Sequence, residues 1–311
     1  MNAVLFTSTP RQPGKGQGKA AFSLIELLVV IGIIGVLAAL TIPAFKGIGS
    51  GTSRTSGERQ LISDLGLARQ YALKNRSTVY MVFVPPRTGL VPYRSPQLRE
   101  TRGYDRIYDE HQIDLNRLIQ ELNRNAGLKD LAERMQRSYT NAMLGQYTSY
   151  ALYADRNVGD QPGTFRPRYL TEWRTLPEGV VFSQEMFEAP VFGPPPLGNP
   201  PKLNTNYFGL FTRDFPFPTV FDRGVAGPEM TLPYIAFQSD GRVLYPGLAR
   251  TPDFYLAVSE GSVQLPRDAR GQFDLKGEPD LVETPRKNYT NSFIRIASAT
   301  GRARVEKPRM E

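Results

Sequence analysis

The chain has no cysteine, a single histidine (His111) and a single tryptophan (Trp173) among its 311 residues. Without cysteine there is no disulfide framework, no thiolate metal site and no thiol redox chemistry. One histidine rules out zinc centres built on histidine pairs, and any Ser-His-Asp arrangement would have to use His111. That residue lies in Tyr108-Asp109-Glu110-His111, a charged stretch that reads as a solvated turn leading into a helix. Asp155, Asp160, Asp240 and Asp253 sit within a few residues of Gly or Pro and could ligate calcium, but no segment has the alternating acids of a calcium loop. They read as turn caps. No phosphate-cradling loop occurs either. The sequence therefore predicts no enzyme, no cofactor and no metal site.

Acidic residues are also missing from residues 1–21, which carry Arg11, Lys15 and Lys19. Directly after them, from Phe22 to Ile42, runs an apolar stretch broken by one carboxylate, Glu26. As a helix its 21 residues would span about 31 Å, close to the ~30 Å hydrocarbon core of a bilayer. The cations before it belong on the cytoplasmic side by the positive-inside rule, which puts everything after Pro43 in the periplasm. A carboxylate inside an apolar span costs about 2.5–3.5 kcal/mol or more and calls for a partner. The other reading, a cleaved secretory signal, fits poorly: the run exceeds the roughly 7–15 residues of a signal core, and Glu26 falls just inside its start.

A basic leader ending in Ala21, then Phe22-Ser23-Leu24-Ile25-Glu26-Leu27-Leu28, a hydrophobic helix with small residues, and Pro43 resemble the prepilin signature of type IV pilins and type II secretion pseudopilins. The resemblance implies cleavage by a membrane-embedded prepilin peptidase between Ala21 and Phe22, followed by N-methylation of Phe22. Ala21 stands where the family usually has glycine. Glu26 would then pair with the amine of a neighbouring pilin or pseudopilin subunit, which is the partner its burial requires. Loss of the leader's three cations lowers the formal charge from +8 to +5.

Beyond Pro43, Gly47, Gly49 and Gly51 each cost a helix about 1 kcal/mol relative to Ala, which predicts a bend within residues 44–53. Thr55-Ser56-Gly57-Glu58 has capping-box spacing, and Leu61, Leu65, Ala68 and Ala72 share one helical face up to about Asn75. The β-branched and aromatic run Thr78 to Val84 reads as a strand stopped by Pro85-Pro86, completing a segment over residues 44–84. Leu61 to Arg76, with Ala68-Arg69 followed by Ala72, running into that strand resembles the H-type minor pseudopilins of type II secretion and the FimT-type minor pilins. Weaker echoes follow in the same order at Leu176 to Phe182, Ile235 to Val243, Phe293 to Ile296 and Gly301 to Val305.

Residues 85–170 have no counterpart in that resemblance. There Ile113, Leu115, Leu118, Ile119 and Leu122 mark one amphipathic helix, and Leu128, Leu131, Met135 and Met143 a second, with Gly127 between them. Residues 188–233 are dense in Pro, Gly and Phe and read as an irregular surface loop in the β-rich part, 171–311. The last 27 residues hold seven cations against Glu306 and Glu311. Arg302, Arg304, Lys307 and Arg309 could neutralise phosphates, and Gly301-Arg302-Ala303-Arg304 resembles the Gly-Arg-x-Arg element of FimT-type pilins linked to DNA uptake.

The expected fold is α+β and pilin-like: a leader (1–21), a transmembrane and assembly helix (22–43), then an antiparallel β head with a helical insertion (85–170). The expected function is a structural minor subunit of a type II secretion pseudopilus or type IV pilus-like filament, anchored in the inner membrane with its head in the periplasm. The alternative is a DNA- or surface-binding tip subunit.

Overall fold

A computed structural model describes residues 24–87, 104–156, 167–188, 209–217, 226–244, 253–285 and 292–307; within 24–87 the side chains of Glu26 and of 35–52 lie outside the description. The chain divides into two units, 1–48 and 49–311.

In the first unit the described side chains form the apolar start of helix α1 (Leu24–Asn75). Leu24, Ile25, Leu27, Leu28, Val29, Val30, Ile31, Ile33 and Ile34 are all exposed. The predicted membrane span falls partly on residues outside the description. Among the described residues, no helix is long and apolar enough to cross a membrane.

Helix α1 continues through Gly47, Gly49 and Gly51. Glycine weakens a helix without removing a hydrogen bond, so it does not by itself end one. Thr55-Ser56-Gly57-Glu58 is likewise no helix start, because α1 is already under way there. Glu58 instead turns its carboxylate to the head. It accepts from Ser292 Oγ at 2.7 Å and pairs with Arg54 at 3.3 Å, while Arg54 donates to the Ser292 carbonyl at 2.9 Å. Gly57 lies so close to Val180 that an added Cβ would come within 2.9 Å of its methyl.

The second unit has an α+β architecture. All named strand pairs are antiparallel. The main sheet is built on β1 (Val79–Phe83), flanked by β2 (Ser149–Ala154) and β7 (Glu229–Phe237). Outside these lie β3 (Arg168–Tyr169) and β4 (Arg174–Thr175) on β2, and β6 (Phe211–Pro216) and β8 (Val243–Leu244) on β7. A second sheet orders β11 (Asp280–Glu283), β10 (Val258–Gln264) and β5 (Val180–Phe182). A third orders β13 (Ala303–Glu306), β12 (Phe293–Ile296) and β9 (Phe254–Leu256).

Leu61, Leu65, Ala68 and Ala72 are fully buried and join the core with Met81, Phe83, Leu152 and Ile235. The period-two alternation of the strands separates two faces. Phe83, Tyr150 and Phe182 cluster on the face where the Tyr150 hydroxyl reaches α1, donating to Asp64 at 2.6 Å. Tyr80, Tyr153, Phe215 and Tyr234 make edge-to-face contacts on the other.

The predicted helical pair is present as α2 (Tyr104–Arg124) and α3 (Lys129–Leu144), with Gly127 in a 3-10 turn between them. The buried face of α2 differs from the predicted stripe: Tyr104, Tyr108, His111, Leu115 and Leu122 are inside, and Ile113 is 60% exposed. Two residues from both His111 and Leu115, Ile113 is turned about 200° from each. The stretch read as a helical insertion also supplies β2, a central strand. Its sequence Ser-Tyr-Ala-Leu-Tyr-Ala is buried at every position, so no polar alternation announces it.

The Pro-rich segment 188–233 differs too, since its end forms β6 and the start of β7. Pro233 is tolerated because β1 pairs with β7 only from Tyr234 onward, leaving one neighbour strand at the proline.

Removing one partner of the buried Arg54–Glu58 pair leaves a charge without compensation. Glu58→Ala is expected to destabilise the head by about 3 kcal/mol, read as a lower midpoint in denaturant unfolding of the detergent-solubilised chain.

Candidate functional site

The basic C-terminal edge is built on the hairpin β12–β13, and its connecting turn is held tightly. Gly301 N–H donates to Ala297 O at 2.7 Å, and Ala297 N–H donates to Arg302 O at 2.9 Å. Gly301 has φ +63°, and a Cβ there would approach the Gly241 carbonyl to 2.1 Å, so only glycine fits. Gly241, at φ +82°, lies in the β7–β8 turn and packs over the Arg69 guanidinium. Arg69 Nε in turn donates to Thr300 O at 2.7 Å. Three segments that the sequence reading singled out separately thus meet at one point: Arg69 of α1, the Asp240-Gly241 turn and the Gly301-Arg302 turn. Their long separation along the chain hid this from pattern reading.

Around this turn lies a surface hollow of about 470 Å³, lined by Arg295, Ala297, Thr300, Arg302, Ala303 and Arg304. Its charge is only partly balanced. Arg295 donates to Asp253 at 2.6 Å and to Glu306 at 3.2 Å. The Asp253 hydrogen bond, foremost, holds the Arg295 guanidinium above its ordinary pKa. Arg304 lies 3.6 Å from Glu306 and stays largely exposed. Arg302 is exposed and makes no ion pair among the described residues. Lys307 is exposed beyond β13, and Arg309 lies outside the described residues. Three of the six residues lining the hollow are arginines, so its lining is basic.

The acids considered as calcium ligands are dispersed. Asp155 pairs with Arg213 at 3.1 Å, and Asp253 caps Ser298 N–H at 2.9 Å. Asp240 accepts from Arg242 N–H at 3.0 Å, which with the Arg242 guanidinium holds its carboxyl below the usual range. Asp160 lies outside the described residues. Among the described residues, no three His, Asp or Glu side chains cluster as metal ligands. His111, read as a solvated turn, is instead buried in α2.

At the other end of the chain, Ala21 and Phe22 lie outside the described residues, as do the side chains of Glu26 and Pro43. Residues 17–42 match the model of the prokaryotic N-terminal methylation motif. The chain carries a prepilin-type N-terminal motif. Such a motif marks pilin-like and pseudopilin precursors; it is the feature that a prepilin peptidase and other pilin subunits meet, and it is consistent with a membrane anchor. The match includes Ala21, Phe22 and Glu26 and ends one residue before Pro43. Neither the curated proteins nor the solved structures yielded a match to the chain.

Gly301→Ala is expected to cost more than Gly179→Ala. Both sites have positive φ, but a Cβ at Gly179 meets nothing within 4 Å. The Gly179 variant should lose about 1–2 kcal/mol from backbone strain, and the Gly301 variant a further ~1–3 kcal/mol from overlap with Gly241, compared by urea unfolding.

Proposed function

We propose that the chain is a minor pseudopilin or pilin-like subunit of the H or FimT type, and that it assembles through its N-terminal helix into a type II secretion pseudopilus or type IV pilus-like filament. The carrying observation is the methylation motif at residues 17–42, which overlaps the start of α1. After cleavage between Ala21 and Phe22, the new, methylated amine pairs with Glu26 of a neighbour, neutralising a carboxylate that is costly in hydrocarbon. The exposed apolar residues Leu24 to Ile34 exchange lipid contact for helix contact on leaving the inner membrane, while the head stays on the periplasmic side. In this reading the chain is structural and has no catalytic role.

Glu26→Ala is expected to insert and to be processed at the wild-type rate yet be absent from sheared filaments. Immunoblots of membrane and filament fractions check it, and normal incorporation of the variant would refute the pairing.

A second reading, DNA or surface binding at a filament tip, draws on one observation: Arg302 is exposed, makes no ion pair among the described residues, and lines a hollow with two further arginines. In that case the detergent-solubilised chain should retard duplex DNA at low salt. Arg302→Ala with Arg304→Ala should then flatten the log K against log salt plot by about 2, near 0.9 for each lost phosphate contact. Retention that the double substitution leaves unchanged would sink this reading.

A further inference from the structure

His111 is the chain's one histidine and sits where three parts of the head meet. Its Nε2 lies 2.7 Å from the Phe217 carbonyl and 3.2 Å from the Pro228 carbonyl. Carbonyls only accept, so Nε2 carries the proton and Nδ1 is the bare nitrogen of a neutral ring. Phe217 and Pro228 are themselves joined, with Phe217 N–H donating to Pro228 O at 3.0 Å. The imidazole therefore fastens α2 to the neck where the chain leaves β6 and returns towards β7. The ring stacks on Tyr139 of α3 at 5.8 Å and 17° and meets Phe217 edge-on at 5.5 Å. His111 is 3% exposed, and Nδ1 is buried with no hydrogen-bond partner among the described residues.

We propose that His111 is an acid-sensitive latch: neutral, it holds the α2–α3 hairpin to the Phe217–Pro228 neck, and protonated at Nδ1 it puts an unpartnered cationic N–H into an aromatic cluster and lets the hairpin detach. Around the ring, each packed element offers little to stabilise a cation. From α2 itself Asp114, one turn on, is the facing acid. From α3 comes Tyr139, a phenol whose pKa burial pushes up to about 12. Behind it, Arg87 pairs with Asp109 at 2.5 Å and lies over Tyr108, adding a cation as well as an acid. The neck presents Phe217 and Pro228 carbonyls, and Trp173 packs on Phe217 at 5.7 Å without charge.

Burial holds the imidazole below its ordinary value of 6.5, against the opposing pull of the two carbonyls and Asp114. A depressed value in the docked state means that the undocked state binds the proton more readily. The latch is then at full strength above about pH 6.5 and weakens as pH falls from there towards the depressed value. Within that window the ratio of undocked to docked hairpin rises up to tenfold per pH unit.

The test uses the full chain in detergent micelles. With one histidine, the imidazole C2–H resonance reports His111 alone, and its midpoint is expected below 6.5. Amide exchange over 104–144, divided by that of the 61–72 segment of α1 to cancel the intrinsic pH effect, should rise several-fold between pH 7.5 and 5.5. In His111→Gln, whose amide still donates to the carbonyls but does not titrate, that ratio should stay flat. A midpoint at or above 6.5, a wild-type ratio that does not rise, or an equal rise in His111→Gln would overturn the latch. If the variant docks poorly at every pH, the wild-type resonance and ratio still decide.

Discussion

Leu61, Leu65, Ala68 and Ala72 must be covered, and the head is what covers them. All four are fully buried, and the rest of the head is arranged by what it takes to seal that stripe. Polar residues on the same helix then fix which part of the chain goes where. Arg54 and Glu58 take hold of Ser292, ahead of β12. Gln60 and Asp64 take Tyr150 of β2 together with Thr175 and Arg174 of β4. Arg69 takes Thr300 in the last turn. Over about four helical turns, a single α-helix thus sets the positions of elements drawn from half the chain. Each contact is modest alone; those of Arg54 and Glu58 with Ser292, and of Asp64 with Tyr150, are buried and therefore weigh most in fixing the arrangement.

The opposite face of the main sheet is organised by aromatics rather than by a helix stripe. Tyr80, Tyr153, Phe215 and Tyr234 form one cluster, and Arg213 lies over the Tyr80 ring at 4.7 Å while pairing with Asp155. Phe217 leads from this cluster to a second, with His111, Tyr139 and Trp173 all within 5.8 Å of its ring. Here the hydroxyl of Tyr139 and the indole N–H of Trp173, like His111 Nδ1, are buried without hydrogen-bond partners among the described residues.

The basic edge follows from the first arrangement. Gly241 and Gly301 can approach one another only because neither has a side chain, and that approach presents Arg302 and Arg304 outward while Asp253 and Glu306 occupy Arg295. The count of seven cations in the last 27 residues overstated the free charge, since a sequence count cannot see which cations are paired.

Much of the local structure was legible in the sequence. The strand at residues 79–83, the helical pair around Gly127, the end of α1 at Asn75 and the prepilin-type motif all rest on local signals: periodicity, turn residues and a short linear pattern. Other features depended on partners remote in sequence. Thr55-Ser56-Gly57-Glu58 looks like a helix start, yet Glu58 is bound by Ser292, 234 residues away. The Pro-rich stretch looked irregular, but Pro233 is allowed in β7 because the pairing of β1 with β7 stops at Tyr234. His111 looked solvated because its neighbours Asp109 and Glu110 are charged; α2 turns those residues outward and His111 inward, onto carbonyls over 100 residues downstream. By itself the sequence determined the anchor-like N-terminal motif and the class of the head, since both are written in contiguous residues. Which charges stay free, which histidine nitrogen is left bare and which strands are neighbours were decided only by the tertiary structure, because each depends on groups brought together from far apart in the chain.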